Sequence, residues 1–297
     1  MVPAPATAAP REAGKRSAIL RMLRRRSTWP GLAVLAVVLA CALAPGLLAP
    51  QDPLAQDLAR RLRPPAMMAH GVPGFYLGTD QLGRDLLSRI ILGARVTLLI
   101  CVSAVAVSAA MGIAAGLAGG FLGGVADAVI LRLIDMQLAF PVILLVIAIV
   151  SVVGPSLPNL ILIMGLSDWP RFARVVRGSV LSLREREFVE AARSIGATGL
   201  RIMLRHVLPN VLSAIIVYAS FELARMILLE ATLSFLGLGV QPPTPSWGGM
   251  IDDGRKYLAL SWAISLCPGL AIAALIMAIN TLGDQLRDIL DPQMADP

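Results

Sequence analysis

Glu222 and Arg225 stand three residues apart within an apolar run, with Glu230 further along the same run. Ionised side chains in such surroundings face a protein interior or water. Three-residue spacing puts the pair on one helical face. There it either lines an aqueous pathway able to meet a zwitterionic ligand or forms a self-satisfied pair that locks helices together. Asp80 and Asp85 have the spacing of an acid/base couple, but Arg84 and Arg89 follow each at i+4. A neighbouring arginine favours the ionised carboxylate, so structural pairing is expected there. Cys41, Cys101 and Cys267 fall inside apolar runs without a C-x-x-C neighbour and read as packing residues. His70 and His206 are far apart and lack a ligand cluster, so no metal site is expected. Gly14-Lys15 is followed by Arg16 and lacks the preceding glycine of a phosphate loop. The chain is therefore expected to hold no cofactor and to hydrolyse no ATP by itself.

The segment Glu190-Ala191-Ala192-Arg193-Ser194-Ile195-Gly196, followed by His206-Val207-Leu208-Pro209, carries a different kind of chemistry. Phe188, Ala191, Ala192 and Ile195 fall at i, i+3, i+4 and i+7, giving a short helix a narrow apolar face with two small residues at its centre. Such a face docks into a groove. Arg186 and Arg193 flank Glu190 at i−4 and i+3, and Gly196 supplies a left-handed cap. The expected partner is a soluble protein.

The elements that must position these residues follow from composition. With 297 residues, 57% of them hydrophobic and 15% charged, the chain is too apolar for a soluble globule. It reads as an all-α polytopic membrane protein. The net charge of +7 comes from arginines that hug apolar spans, including Arg24 to Arg26, which follows the positive-inside rule and excludes nucleic acid as a partner. Residues 1–28, rich in Ala, Pro and Arg, read as a disordered cytoplasmic tail. The first transmembrane helix, from Trp29 to Leu48, and an external amphipathic segment fill residues 29–93. Residues 94–290 form a core of five further spans, placed near 95–118, 129–153, 157–180, 208–229 and 262–282. The cytoplasmic coupling loop 184–206 interrupts this core. Six spans place both termini in the cytoplasm. Val38-Leu39-Ala40-Cys41 comes near a lipoprotein processing site, but the leucine two before the cysteine fits poorly, and the first span is read as uncleaved.

Within the external segment, Thr79 or Asp80 is placed to cap a surface helix carrying Asp80/Arg84 and Asp85/Arg89 pairs. Gly112, Gly116 and Gly120 recur every four residues in the second span, the spacing at which helix backbones approach closely. Their partner is another helix of this chain or one from a partner chain. Asp127, Arg132 and Asp135 read as interfacial pairing residues. Pro242 to Pro245 stiffen an external segment; with Trp247 and Trp262 it either forms part of a gate or docking platform, or the two tryptophans are interfacial anchors, the plainer account.

The docking segment resembles the E-A-A-x-x-x-G…L-P loop of importer-type ABC transporter permeases. Four other stretches, Leu77–Arg95, Leu131–Pro141, Leu233–Trp247 and Leu282–Pro292, are similar to the second permease of dipeptide, oligopeptide and nickel importers. The resemblance covers residues 28–292. His206 departs from the general loop pattern, which has an apolar residue there. The resemblance implies an inner-membrane permease with a cytoplasmic coupling helix. It also implies a homologous second permease, two ATP-binding subunits holding ATP and Mg, an extracytoplasmic solute-binding protein, and a peptide as cargo. Glutathione, opines and nickel are carried by similar permeases. An ion-coupled secondary transporter would lack the docking helix and need its own ion site. In the implied mechanism, ATPase closure moves Phe188 to Ile195, and Pro209, at the first turn of the fifth span, passes the motion into the membrane.

Overall fold

The computed structural model describes residues 28–290. The tail expectation for residues 1–28 therefore lies outside the described residues, apart from Thr28. Nine helices account for nearly all the regular structure there: α1 (Trp29–Leu43), α2 (Leu86–Leu122), α3 (Gly124–Leu138), α4 (Val142–Val153), α5 (Leu157–Arg184), α6 (Glu187–Ser194), α7 (Gly199–Phe235), α8 (Trp247–Arg255) and α9 (Ala263–Leu290). One isolated bridge, between Thr79 and Asp85, is the β structure recorded among the described residues.

α2, α7 and α9 are each long and apolar enough to cross a membrane. α3 and α4 supply a fourth crossing only when taken together. The sequence placed one continuous span over 129–153, yet the chain bends by 81° between these two helices. Pro141 explains the break. It has no N–H for the helical ladder, and it pushes the residue before it out of the helical region. α1 is uncharged and 15 residues long, about 22 Å at 1.5 Å per residue, and it ends where Pro45 follows Ala44. α5 is 28 residues long, and its Asp168, Arg174 and Arg177 meet other helices rather than lipid.

Residues 77–85 do not form the expected surface helix. Gly78 and Gly83 adopt φ values of +86° and +75°, which no right-handed helix accommodates. The Asp80 carboxylate instead closes a turn by accepting from the N–H groups of Leu82 at 2.8 Å and Arg84 at 3.0 Å. The expected Asp80–Arg84 pair is present at 2.6 Å, whereas Asp85 does not pair with Arg89. Asp85, not Thr79 or Asp80, caps α2, accepting from the N–H of Ser88 at 2.8 Å and its hydroxyl at 2.6 Å. Arg89 turns to Asp80 at 3.3 Å and to Asp253 at 3.6 Å, which ties this turn to α8.

The glycine stripe fixes the centre of the bundle. Its partner is α5 of the same chain. A Cβ on Gly116 would lie 2.7 Å from the Ala173 carbonyl oxygen and from Val176 Cβ, and one on Gly120 would lie 2.9 Å from Val180 Cβ. Gly112 meets Phe172 and the Trp169 carbonyl in the same way. One step earlier, the Ser108 hydroxyl donates to the Gly165 carbonyl at 2.7 Å. Trp247 is buried rather than interfacial: its indole N–H donates to the Ile90 carbonyl at 2.9 Å, while Trp262 is half exposed.

A second node lies where Pro170 interrupts α5. Pro170 leaves the Leu166 carbonyl without its helical donor. Gln137, at the end of α3, replaces that donor: its Nε2 donates to the carbonyls of Leu166 at 2.7 Å and Ser167 at 3.1 Å. Its Oε1 accepts from the Trp169 indole N–H at 2.8 Å. The bend at Pro141 is thereby pinned to the proline site of α5.

Gly116→Leu should disrupt the α2–α5 contact, because the added side chain meets backbone, at a cost of at least about 1–3 kcal/mol. Gly178→Ala, where the methyl meets open space, should be neutral or better. Thermal melting of the detergent-purified protein separates the two. Gln137→Leu leaves a carbonyl and an indole N–H unpaired and should lower stability by roughly 1–3 kcal/mol. Gln137→Glu, which sets a carboxylate oxygen against the Leu166 and Ser167 carbonyls, should cost at least as much in the same assay.

Candidate functional site

α6, the helix expected to dock, is eight residues long, too short to persist alone, and the chain fixes it from both ends. Glu187 and Glu190 lie in its first turn and Arg193 in its last, the order the helix dipole favours. At its end, Gly196 has φ +80°, its N–H donates to the Arg193 carbonyl at 2.9 Å, and the Ala197 N–H donates to the Ala192 carbonyl at 3.1 Å. Those two bonds make a complete Schellman cap.

The four-residue apolar face read from periodicity is divided. Ala192 points inward together with Val189, which periodicity left out. Both join Val176 and Val180 of α5 and Ile202, Val207 and Val211 of α7 in one buried cluster with Leu117. Phe188, Ala191 and Ile195 remain outside; Ile195 is 85% exposed, and the neighbouring Leu200 is 64% exposed. Glu190 is exposed beside them. α6 is thus held by one face and offers another, an apolar knob bordered by charge. Arg184 anchors the start of the loop by donating to the Gly120 carbonyl at 3.2 Å. A cleft of about 380 Å³ opens next to α6, lined by Ile195, Gly196, Ala197, Arg201, Arg205 and His206. Its three basic side chains suit an acidic group.

Pro209 lies in the first turn of the α-helical stretch Leu208–Phe235, as expected, but α7 does not begin there: one turn over Gly199–Ile202 and a π turn precede it without a break. The helix absorbs the proline by widening into a π turn over Met203–Val207, after which the Asn210 side-chain amide donates to the His206 carbonyl at 2.5 Å.

Deeper in the bundle, Glu222 and Arg225 do meet, and a third residue joins them. The Arg225 guanidinium pairs with Glu222 and also with Asp168 of α5, a residue the sequence reading did not single out. Arg225 Nε lies 3.1 Å from Glu222 Oε2, and the Tyr218 hydroxyl donates to the same oxygen at 3.2 Å. Arg171 approaches Asp168 at 3.4 Å, so two acids face two arginines. Asp168 and Glu222 are buried, while a third of the Arg225 side chain stays exposed. Asp168 was detectable as an acid in the middle of the predicted span 157–180. Glu230 does not belong to this cluster. It is buried near the other end of α7, where the Ser234 hydroxyl donates to it at 2.7 Å and Ser246 lies 3.2 Å from Ser234. That chain of contacts holds the loop around Ser246 against α7.

Of the residues expected to pair near the start of the third span, the two acids do so, with arginines of α5. Arg177 holds Asp127 through two bonds of 2.5 and 2.6 Å, and Arg174 reaches Asp135 at 2.6 Å. Arg132 is exposed.

Residues 108–296 match the family described as "Binding-protein-dependent transport system inner membrane component". The chain is 44% identical over 264 residues to the di/tripeptide transport system permease protein DppC of Pseudomonas aeruginosa (strain UCBPP-PA14), covering 89% of this chain and 87% of that one. It is 46% identical over 219 residues to the glutathione transport system permease protein GsiD of Shigella dysenteriae serotype 1, covering 74% and 72%. Its fold is similar to a chain of the inward-facing MetNI methionine ABC transporter, with a TM-score of 0.56 at 20% identity over 69% of this chain and 97% of that one.

Arg225→Met leaves Asp168 and Glu222 buried without their shared counter-charge and should cost about 3–5 kcal/mol. Asp168→Asn keeps the Arg225–Glu222 pair and should cost less. Complex yield and melting temperature of the two variants give the order, and equal losses would contradict a shared arginine.

Proposed function

Because this chain belongs to the binding-protein-dependent transport system inner membrane component family, we propose that it is the peptide-conducting permease subunit of an ATP-driven importer. It is a multi-pass inner-membrane protein and a non-catalytic component of its complex. In this reading the loop 184–206 and both termini face the cytoplasm, and two ATP-binding subunits supply ATP hydrolysis with Mg. A homologous second permease completes the pathway, and an extracytoplasmic solute-binding protein delivers cargo to the face carrying residues 49–85 and 236–262.

The division of α6 carries the mechanical part of the proposal. Phe188, Ala191 and Ile195 are left uncovered while Val189 and Ala192 bind the helix to α5 and α7. An ATPase groove closing on the outer face moves α6, and the inner face delivers that displacement to α5 and α7 at once. The basic cleft beside α6 takes an acidic side chain of the same ATPase subunit. No phosphate loop or nucleophile in this chain is required for any of these steps.

Dipeptides and short oligopeptides are the proposed cargo, supported by similarity to DppC along 89% of the chain. Glutathione is the second reading, favoured by the 46% identity to GsiD. Competition between labelled dipeptide and unlabelled glutathione in a reconstituted importer decides between them.

Ala191→Trp and Gly196→Val should leave the protein in the membrane but abolish ATPase co-purification and uptake. The first blocks the outer face, and the second forces a β-branched residue into a left-handed conformation costing about 1–2 kcal/mol. Val189→Asp should instead lower the amount of folded protein. Normal ATPase binding and uptake in both α6 variants would overturn the docking assignment.

A further inference from the structure

On the flank of the bundle, α1, α2, α7 and α9 enclose a groove of about 370 Å³. Its lining is almost wholly apolar. Leu35, Leu39 and Leu43 climb one wall at four-residue intervals, and Leu98, Leu99 and Val102 form the other. Arg95 is the one charged residue on that lining. It is exposed, and among the described residues it makes no ion pair or side-chain hydrogen bond.

The level of Arg95 in the membrane follows from α2 itself. No charged residue occurs from 96 to 122, a stretch long enough at 1.5 Å per residue to cross a core of roughly 30 Å. Arg95 is therefore the last charge before the hydrocarbon, on the side opposite the docking loop. The leucine ladder of α1 runs inward from that level for about 12 Å. A cation at the mouth of a hydrocarbon-lined slot matches an amphiphile with an anionic head and an alkyl chain. Phospholipid phosphates lie at the edge of the hydrocarbon, and the planar fork of an arginine guanidinium matches a phosphate group.

We propose that this groove is a phospholipid site, with one acyl chain along the Leu35–Leu39–Leu43 ladder and the phosphate on the Arg95 guanidinium. The inference rests on the membrane permease reading above. Its test is native mass spectrometry of the purified permease complex offered phosphatidylglycerol, or diacylglycerol with the same chains. Phosphatidylglycerol should be retained at least roughly fivefold better, in line with about 1 kcal/mol for one basic residue near a lipid surface. Arg95→Gln should erase that preference, Arg95→Lys should keep most of it, and Leu39→Trp should expel both lipids. Inorganic phosphate should not displace the bound lipid. Unchanged phosphatidylglycerol retention in Arg95→Gln overturns the site. So does loss of the second permease from Arg95→Gln with lipid binding intact, which would make the groove a subunit contact. ATP-driven uptake is measured on the same preparations: normal uptake without lipid retention removes the lipid site and leaves the permease reading standing.

Discussion

α5 runs against α2 at a distance that only glycine permits, and most of the remaining structure is attached to α5. Gly112, Gly116 and Gly120 bring the α2 backbone onto Trp169, Ala173 and Arg177, where a β-carbon would overlap backbone or Cβ atoms. In a membrane, apolar side chains gain little by leaving lipid, so this close packing and its polar fastenings must hold the helices together. The fastenings converge on α5. α3 reaches it through Asp127–Arg177 and Asp135–Arg174, and α7 through Asp168–Arg225. α2 adds a serine-to-carbonyl bond at Gly165.

The prolines show the same constraint at work on the backbone. Away from water a freed carbonyl must find another donor. Pro170 is answered by Gln137 from a different helix, and Pro209 by a π turn in its own helix. Pro141 is not accommodated in the ladder at all, and the chain breaks there. The three outcomes differ mechanically. A cross-helix donor couples two segments, a π turn leaves one helix continuous but locally weaker, and a break separates two rigid pieces.

How much of this was legible in the sequence depended on whether the signal was a spacing or a partner. The glycine repeat marked a close contact, since its period is that of one helical face, but a period cannot say what lies across. The order of helices followed from hydropathy, yet averaging across Pro141 concealed the bend. The pairs at Asp80 and Asp85 suggested a helix because i,i+4 reach is helical. A turn built on Gly78 and Gly83 can also bring Asp80 to Arg84, and it sends Arg89 to Asp253. Eight residues of α6 gave too few turns to separate the inward face from the outward one. Asp168 went unremarked because its apolar surroundings dominated the reading of that span, although an acid in such surroundings is itself the signal.

These attachments determine how a push on α6 would travel in the proposed importer. Val189 and Ala192 share one buried cluster with Val180 of α5 and Val211 of α7, so α6 cannot shift without loading both helices. α5 is fastened along its length to α2 and α3. α7 carries its π turn directly beside the cluster, where the ladder is weakest. Beyond that turn the two helices are joined again by Arg225 between Asp168 and Glu222. In that reading, displacement entering at α6 would meet the π turn at 203–207 before it reached the ionic link. Glu230 and Ser234, past the link on the same helix, tie Ser246 of the following loop to α7.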